Sequence, residues 1–373
     1  MLYSFLISWV EEFSILNVFR YLTFRTGLSV MSSMLIVFLI GAPFIKFIES
    51  HKITGPIRED GPIDHIVKKV GTPTMGGLGI VAGATAGYVI SDLYHGTYTR
   101  TGIFVMLSII GAGAVGLIDD WIKVVRERNL GLNKKTKMFG LLLVALIFAI
   151  LMIAYSPVHT QISFTRFDNP GWEIGEILWS LWAILLISGS ANAVNLTDGL
   201  DGLAAGAAVF CFGAFGVISF WQFRYPDLYD VPHALDLAVI SAAMAGACLG
   251  FLWWNSAPAQ IFMGDTGSLA IGTGLATLSL ATNTQLLLPI VAGLFVVETL
   301  SVIIQIFGFR FFSKRRVFKM APLHHHFELS GWPETTVIVR FWMMSGLCTA
   351  LGIGLFYGDS LRSGIVGLVA GAY

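Results

Sequence analysis

Charge is scarce in this chain: Asp, Glu, Lys and Arg make up 12% of its 373 residues, about half of the roughly 25% usual for a soluble domain. That shortage excludes a water-exposed surface of ordinary composition. Neither sign is in excess, with 23 acidic and 23 basic residues, so the broad electrostatic attraction behind nucleic-acid binding is lacking. Cysteine is sparse as well. Cys211, Cys248 and Cys348 lie far apart in apolar runs without metal-ligand spacing, which reads as small buried hydrophobes. The N-terminus lacks a basic leader followed by an apolar core and a small-residue cleavage site. Residues 3–24 instead mix apolar side chains with Glu11, Glu12 and Arg20, the pattern of an interfacial amphipathic segment over 1–25.

What is abundant is apolar sequence. Runs near the roughly 20 residues needed to cross a hydrocarbon core recur along the whole length, at 27–48, 76–94, 102–119, 138–156, 175–194, 203–221, 236–254, 267–282, 286–309 and 338–357. The expectation is an all-α, polytopic integral membrane protein of about ten transmembrane helices, with 1–373 a single membrane-embedded catalytic domain and 363–372 a short apolar tail. Lys and Arg concentrate in the loops after spans one, three and nine, among them Lys52, Lys69, Lys123, Lys137, Arg310 and Lys319. Cytoplasmic loops retain positive charge, so the odd-numbered loops (49–75, 119–137, 195–202, 255–266 and 310–337) are placed on the cytoplasmic side and both termini on the outer side.

Four polar clusters fall in those loops. Asp119 and Asp120 end span three in GAVGLIDDWIKVV. Adjacent carboxylates at a membrane boundary repel and are costly to desolvate without compensation, and a solvated ion pair of Asp119 with Lys123, one turn on, is the simple alternative. AVNLTDGLDGL places Asp198 and Asp201 beside Gly199 and Gly202 after Asn192 and Asn195; an ordinary Asx-rich turn is the simple alternative, but it has no use for two acids with no basic residue beside them in the sequence. NSAPAQIFMGDTGSLAIG leads from Asn255 through Asp265 and Thr266 into span eight, where an acid can cap the helix, bind a metal, or leave the free N–H groups to a phosphate. MAPLHHHFELSGWPE holds His324, His325 and His326 among basic residues. Adjacent histidines without a nearby Cys make a poor zinc site, and the alternatives are plain exposed loop histidines or a cationic rim for a phosphorylated ligand.

No Ser nucleophile elbow or Cys–His pairing cue accompanies these clusters. Several oxygen donors beside a basic rim suit Mg²⁺, which prefers hard oxygen and fills its remaining positions with water and substrate phosphates. The residues alone therefore point to metal-dependent phosphoryl transfer at the cytoplasmic membrane surface, with a lipid as one substrate.

The strings GTPTMGG (71–77), GLIDDWIKVV (116–125), NAVNLTDGLDGLA (192–204), PAQIFMGDTGSLA (258–270), FVVETLSVIIQ (295–305) and APLHHHFELSGWPE (321–334) resemble the phospho-N-acetylmuramoyl-pentapeptide transferase family. The resemblance runs in order from NVFRYLTFR (17–25) to VIVRFW (337–342). The acidic motifs belong to a wider superfamily of polyprenyl-phosphate hexosamine-phosphate transferases, whereas PLHHHFELSGW points to the muramoyl-pentapeptide branch. The resemblance implies UDP-N-acetylmuramoyl-pentapeptide and undecaprenyl phosphate as substrates, lipid I and UMP as products, Mg²⁺ as cofactor, a homodimer in the bacterial inner membrane and a part in peptidoglycan synthesis. It implies Asp265 as the metal ligand, Asp119 and Asp120 as the catalytic acidic pair, and His324, His325 and His326 serving the diphosphate. Asp198, Gly199, Leu200, Asp201, Asn255, Phe262 and Gln305 match positions associated with uridine, and Asn192 and Asn195 belong to the same substrate-binding motif. Phe262 offers a flat face for uracil, with core packing as its plainer alternative; an interhelical hydrogen bond is the alternative for Gln305. Members of the family place five steps between a loop histidine and the glycine of GTPTMGG; here His65 and Gly71 are six apart. Counting back from the glycine selects Lys69 as the functional lysine, and counting forward from the histidine selects Lys68. The rival readings are a transferase for a peptide-free UDP-N-acetylhexosamine and, in a different class, a lipid or sugar transporter in which Glu298 marks the path.

Overall fold

The computed structural model describes residues 8–51, 71–92, 98–126, 131–311 and 316–362. Lys69, with Lys68 and His65, lies outside them, as does the tail 363–372. A 3₁₀ turn at Ser14–Arg20 precedes α1 (Leu22–Ser50), α2 (Gly77–Asp92), α3 (Arg100–Val125) and α4 (Lys134–Tyr155). An antiparallel hairpin, β1 (Gln161–Arg166) and β2 (Asn169–Glu173), leads into α5 (Gly175–Thr197), α6 (Leu203–Arg224), the single turn α7 (Pro226–Tyr229) and α8 (Ala234–Asn255). The last described elements are α9 (Gly264–Ala281), the short α10 (Leu288–Val291), α11 (Gly293–Phe311), the short α12 (Leu323–Glu328) and α13 (Glu334–Arg362).

Eight of the described helices are long and apolar enough to cross a membrane. The other two expected spans exist as helices but fall outside that group. α2 has 16 residues, and α9 opens on Gly-Asp-Thr-Gly-Ser and stays rich in Gly, Ala, Ser and Thr. Every residue of α9 from Asp265 to Ala281 is buried, because α3, α5, α2 and α6 pack around it. A helix enclosed by other helices needs small residues for close approach rather than an apolar outer face. The peripheral helices show the reverse: Ile177 on α5 is 79% exposed and Leu347 on α13 is 70% exposed, apolar surface suited to lipid.

Three boundaries differ from the sequence expectation. The span expected at 286–309 is two helices, broken at Ala292 and begun at Leu288-Pro289, as suits a residue whose missing N–H is tolerated only in a first turn. α13 has 29 residues, about 43 Å at 1.5 Å per residue, and so outreaches a hydrocarbon core of about 30 Å. The expected loops 119–137 and 195–202 begin inside helices, since α3 runs on to Val125 and α5 to Thr197. The hairpin, which alternation in the sequence does not announce, is pinned to the turn after α9: the Ser163 N–H donates to Gln285 Oε1 (2.7 Å) and the Leu286 N–H to the Ser163 carbonyl (3.0 Å). Among the described residues the main apolar core includes residues from Val37 to Phe356, and Ala112, Leu141, Ala191 and Leu269 form a second small cluster.

Candidate active site

The site begins where α3 touches the first turn of α9. A Cβ on Gly116 would lie 2.3 Å from the Asp265 carbonyl oxygen, so only glycine admits this approach. The approach brings Asp120, one turn further along α3, to the start of α9. Its Oδ1 accepts from the Asp265 N–H (3.1 Å), and its Oδ2 accepts from the Thr266 N–H (3.0 Å) and hydroxyl (2.8 Å). The residue before α9, Met263, supplies no side-chain cap. Asp120 therefore caps the helix from another element, with its charge at the positive end of the helix dipole. Gly264 makes room for that carboxylate: its φ is +71°, and a Cβ there would stand 2.5 Å from Asp120 Oδ2.

Asp119 and Asp265 meet on the other side of this contact. Asp265 Oδ1 accepts from Asn195 Nδ2 on α5 and from Lys137 Nζ on α4 (3.0 Å), and its Oδ2 accepts from Lys123 Nζ. Asp119 Oδ2 is 2.6 Å from Lys123 Nζ, and its Oδ1 accepts from the Leu132 N–H at 2.7 Å. Lys123 also stands 3.5 Å from Asp120 Oδ1, so one ammonium faces all three acids. Asp119 and Asp120 are 2% exposed and Asp265 is 7%. Three carboxylates can be buried together only with compensation, which two lysines and a helix N-terminus provide. One oxygen from each acid lies within 4.8 Å of the others. An all-oxygen donor set of this size fits a hard octahedral ion that touches one or two carboxylates at about 2.1 Å and completes its shell with other oxygens.

The histidines lie across the end of α5. Glu298, fully buried on α11, accepts from the Leu323 N–H (2.7 Å) and the His324 N–H (3.2 Å), which caps α12. The acid that the transporter reading places on a translocation path thus has structural partners. His324 is fully buried; its Nδ1 is 3.2 Å from Glu298 Oε1, and its ring rests so closely on Gly199 that a Cβ there would meet Nε2 at 2.3 Å. His325 Nδ1 pairs with Glu328 Oε2 (2.7 Å), and His326 Nδ1 accepts from the Lys319 N–H (3.1 Å). With Asn195 on Asp265 and Gly199 against His324, one short chain segment at the end of α5 joins the acidic and histidine clusters.

The remaining expected residues fall into two groups. Asn255 ties two loops together, accepting from the Gly202 N–H (3.0 Å) and donating to the Ile261 carbonyl (2.9 Å). Asp201 reinforces the tie by accepting from the Ala259 N–H at 3.0 Å. Asp198 caps the C-terminus of α5, and Phe262 is half-buried, its backbone bonded to Pro73 and Gly76 of GTPTMGG. Leu200 is 3% exposed within the apolar core. Asn192 donates to the Ser188 carbonyl one turn back (2.7 Å). Gln305 clasps the following loop rather than another helix, accepting from the Val317 and Phe318 N–H groups (3.0 and 2.9 Å) and donating to the Phe318 carbonyl (3.0 Å). Two site residues escape a reading of motifs. Lys123 shows in sequence only as a helical neighbour of Asp119, and nothing in sequence signals that Lys137 reaches Asp265.

Residues 102–283 match the family model described as glycosyl transferase family 4. A protein from Frankia casuarinae is 47% identical over 346 residues, covering 88% of this chain and 96% of the relative. One from Streptomyces griseus is 46% identical over 338 residues, covering 86% and 94%, and one from Corynebacterium aurimucosum is 47% identical over 338 residues, covering 84% and 91%. All three are named phospho-N-acetylmuramoyl-pentapeptide-transferase. Identity of this level over nearly the full length of each relative, together with the apolar helices that enclose the acidic site, shows that the chain belongs to the phospho-N-acetylmuramoyl-pentapeptide-transferase family of multi-pass membrane enzymes.

Proposed function

We propose that this chain transfers phospho-N-acetylmuramoyl-pentapeptide from UDP to undecaprenyl phosphate, giving lipid I and UMP, the first membrane step of peptidoglycan synthesis. Its near-complete coverage of relatives bearing that name carries the reading. The protein works as a homodimer in the bacterial inner membrane, with its catalytic site facing the cytoplasm.

Asp265, with Asp119 beside it, would hold Mg²⁺, which supplies neutralisation of the diphosphate charge during transfer. An oxygen of the lipid phosphate attacks the phosphorus bonded to the sugar. The bond from that phosphorus to the bridging oxygen breaks, and UMP leaves with that oxygen. A phosphate monoester, with a second pKa near 6, is largely ionised at neutral pH, so the attack needs no carboxylate nucleophile. Asp119 orients the lipid phosphate and accepts its remaining proton. Asp120, committed to the N–H groups of Asp265 and Thr266, holds the turn that presents Asp265. Lys69, Lys123, Lys137 and the His324–His326 turn donate to phosphate oxygens, while Asp198–Asp201, Asn255, Phe262 and Gln305 line the nucleoside end with Asn192 and Asn195 behind them.

The test is UMP release from purified protein given undecaprenyl phosphate and either the pentapeptide donor or a peptide-free UDP-N-acetylhexosamine. Turnover is expected with the pentapeptide donor alone, to be lost with a chelator, and to be lost in Asp265→Asn while the variant still purifies as a folded protein. Turnover only with the peptide-free donor would overturn the substrate assignment, and an active Asp265→Asn would overturn the metal assignment.

A further inference from the structure

Lys123 occupies an unusual place. Its ammonium touches Asp119 Oδ2 at 2.6 Å, faces Asp120 Oδ1 at 3.5 Å and contacts Asp265 Oδ2. One oxygen from each of these acids lies within 4.8 Å of the others, so ammonium and divalent ion compete for the same carboxylates. Neither Asp119 nor Asp265 has a spare arrangement close by. The second oxygen of Asp119 is held by the Leu132 N–H, and that of Asp265 by Asn195 and Lys137. The lysine, by contrast, has somewhere to go. Its side chain is 26% exposed, against 3%, 3% and 9% for the three acids, and four methylene groups let its charge swing while its stem stays on α3.

We propose that Lys123 is the protein's internal competitor for its metal: the ammonium neutralises the three carboxylates in the free protein and must be displaced before a divalent cation can bind them. The proposal rests on the metal assignment made above. It has two consequences. Metal affinity of the free protein is set below what three converging acids would give, since each binding event must break the lysine's ion pairs. An anionic diphosphate then favours loading, because it offers the released ammonium a new partner and couples substrate binding to metal binding in both directions. Lys137 differs: it reaches a single oxygen, Asp265 Oδ1, and can remain beside a metal held on the other.

The experiment is direct binding of Mn²⁺, as probe, to the purified full-length protein without substrate, read from the electron paramagnetic resonance signal of free Mn²⁺. Lys123→Met and Lys123→Gln, each checked for monodispersity, are expected to bind about tenfold more tightly than wild type or better, the effect of removing a unit positive charge a few ångströms from the ion. Lys123→Arg keeps the charge and should bind no more tightly than wild type, and Lys137→Met should gain less than Lys123→Met. Unchanged or weaker binding in both neutral Lys123 variants, with saturable binding still lost in Asp265→Asn, would overturn this proposal alone. Binding in Asp265→Asn equal to wild type would remove the metal assignment itself and this proposal with it.

Discussion

Two adjacent aspartates that look equivalent in sequence have different environments. Asp120 spends both oxygens on the first turn of α9, receiving three hydrogen bonds from Asp265 and Thr266. Asp119 spends one oxygen on a loop N–H and turns the other to Lys123. Losing a charged cap leaves buried N–H groups unpaired, so Asp120→Ala should cost about 2–3 kcal/mol of stability. Asp119→Ala should cost less than half of that, measured as thermal unfolding in one detergent. Equal losses would mean that the cap contributes little. The sequence displays both acids and their proximity to Lys123. It cannot display the partners of Asp120, which lie 145 and 146 positions away and are selected by the angle at which two helices cross.

The central element is α9, and it is held at both ends by other helices. Asp120 caps its start; at its finish, His233 Nε2 donates to the Ala281 carbonyl (2.9 Å) and Gln222 Nε2 to the Thr282 carbonyl (2.8 Å). Burial pushes the His233 pKa below its ordinary value, so it donates as a neutral ring. The fit of α9 against α3 depends on Gly116, where any Cβ would strike the backbone of Asp265 and Thr266. Gly116→Val should therefore force the helices apart, cost about 1–3 kcal/mol of stability and lower kcat far more than it raises KM, because the acids move relative to one another. Steady-state kinetics with a thermal melt would check it, and unchanged kcat would show that the contact is not needed for the acids. Sequence reading placed α9 and α2 correctly as helices, though neither is among those long and apolar enough to cross a membrane. The reason they look weak as membrane helices, that neighbouring helices rather than lipid cover them, belongs to the packing.

Across the whole molecule, the described helices gather the acids and lysines where α3, α4, α5 and α9 meet, with the histidine turn α12 against Gly199 and Glu298, while the hairpin lies beyond the opposite end of α9. In the proposed topology, which rests on the charge asymmetry of the loops, the first end faces the cytoplasm. A cysteine at Asp168, in the hairpin, should then react with a membrane-impermeant maleimide on intact cells, whereas one at Ser330 should react only after permeabilisation; the reverse pattern would invert the topology. The sequence by itself determined the class of protein, the approximate spans and the residues of the acidic and histidine motifs. Hydropathy accumulates along a chain, and motif residues are local, so both can be read in one dimension. Only the tertiary structure decided how those residues divide their work. Asp120 and Glu298 cap helices, Asn255 and Gln305 clasp backbone, Leu200 sits in the core, and Lys123 faces three acids at once. Hydrogen-bond partners and shared charges depend on distances across the bundle, and these are set by how closely small residues let helices pack.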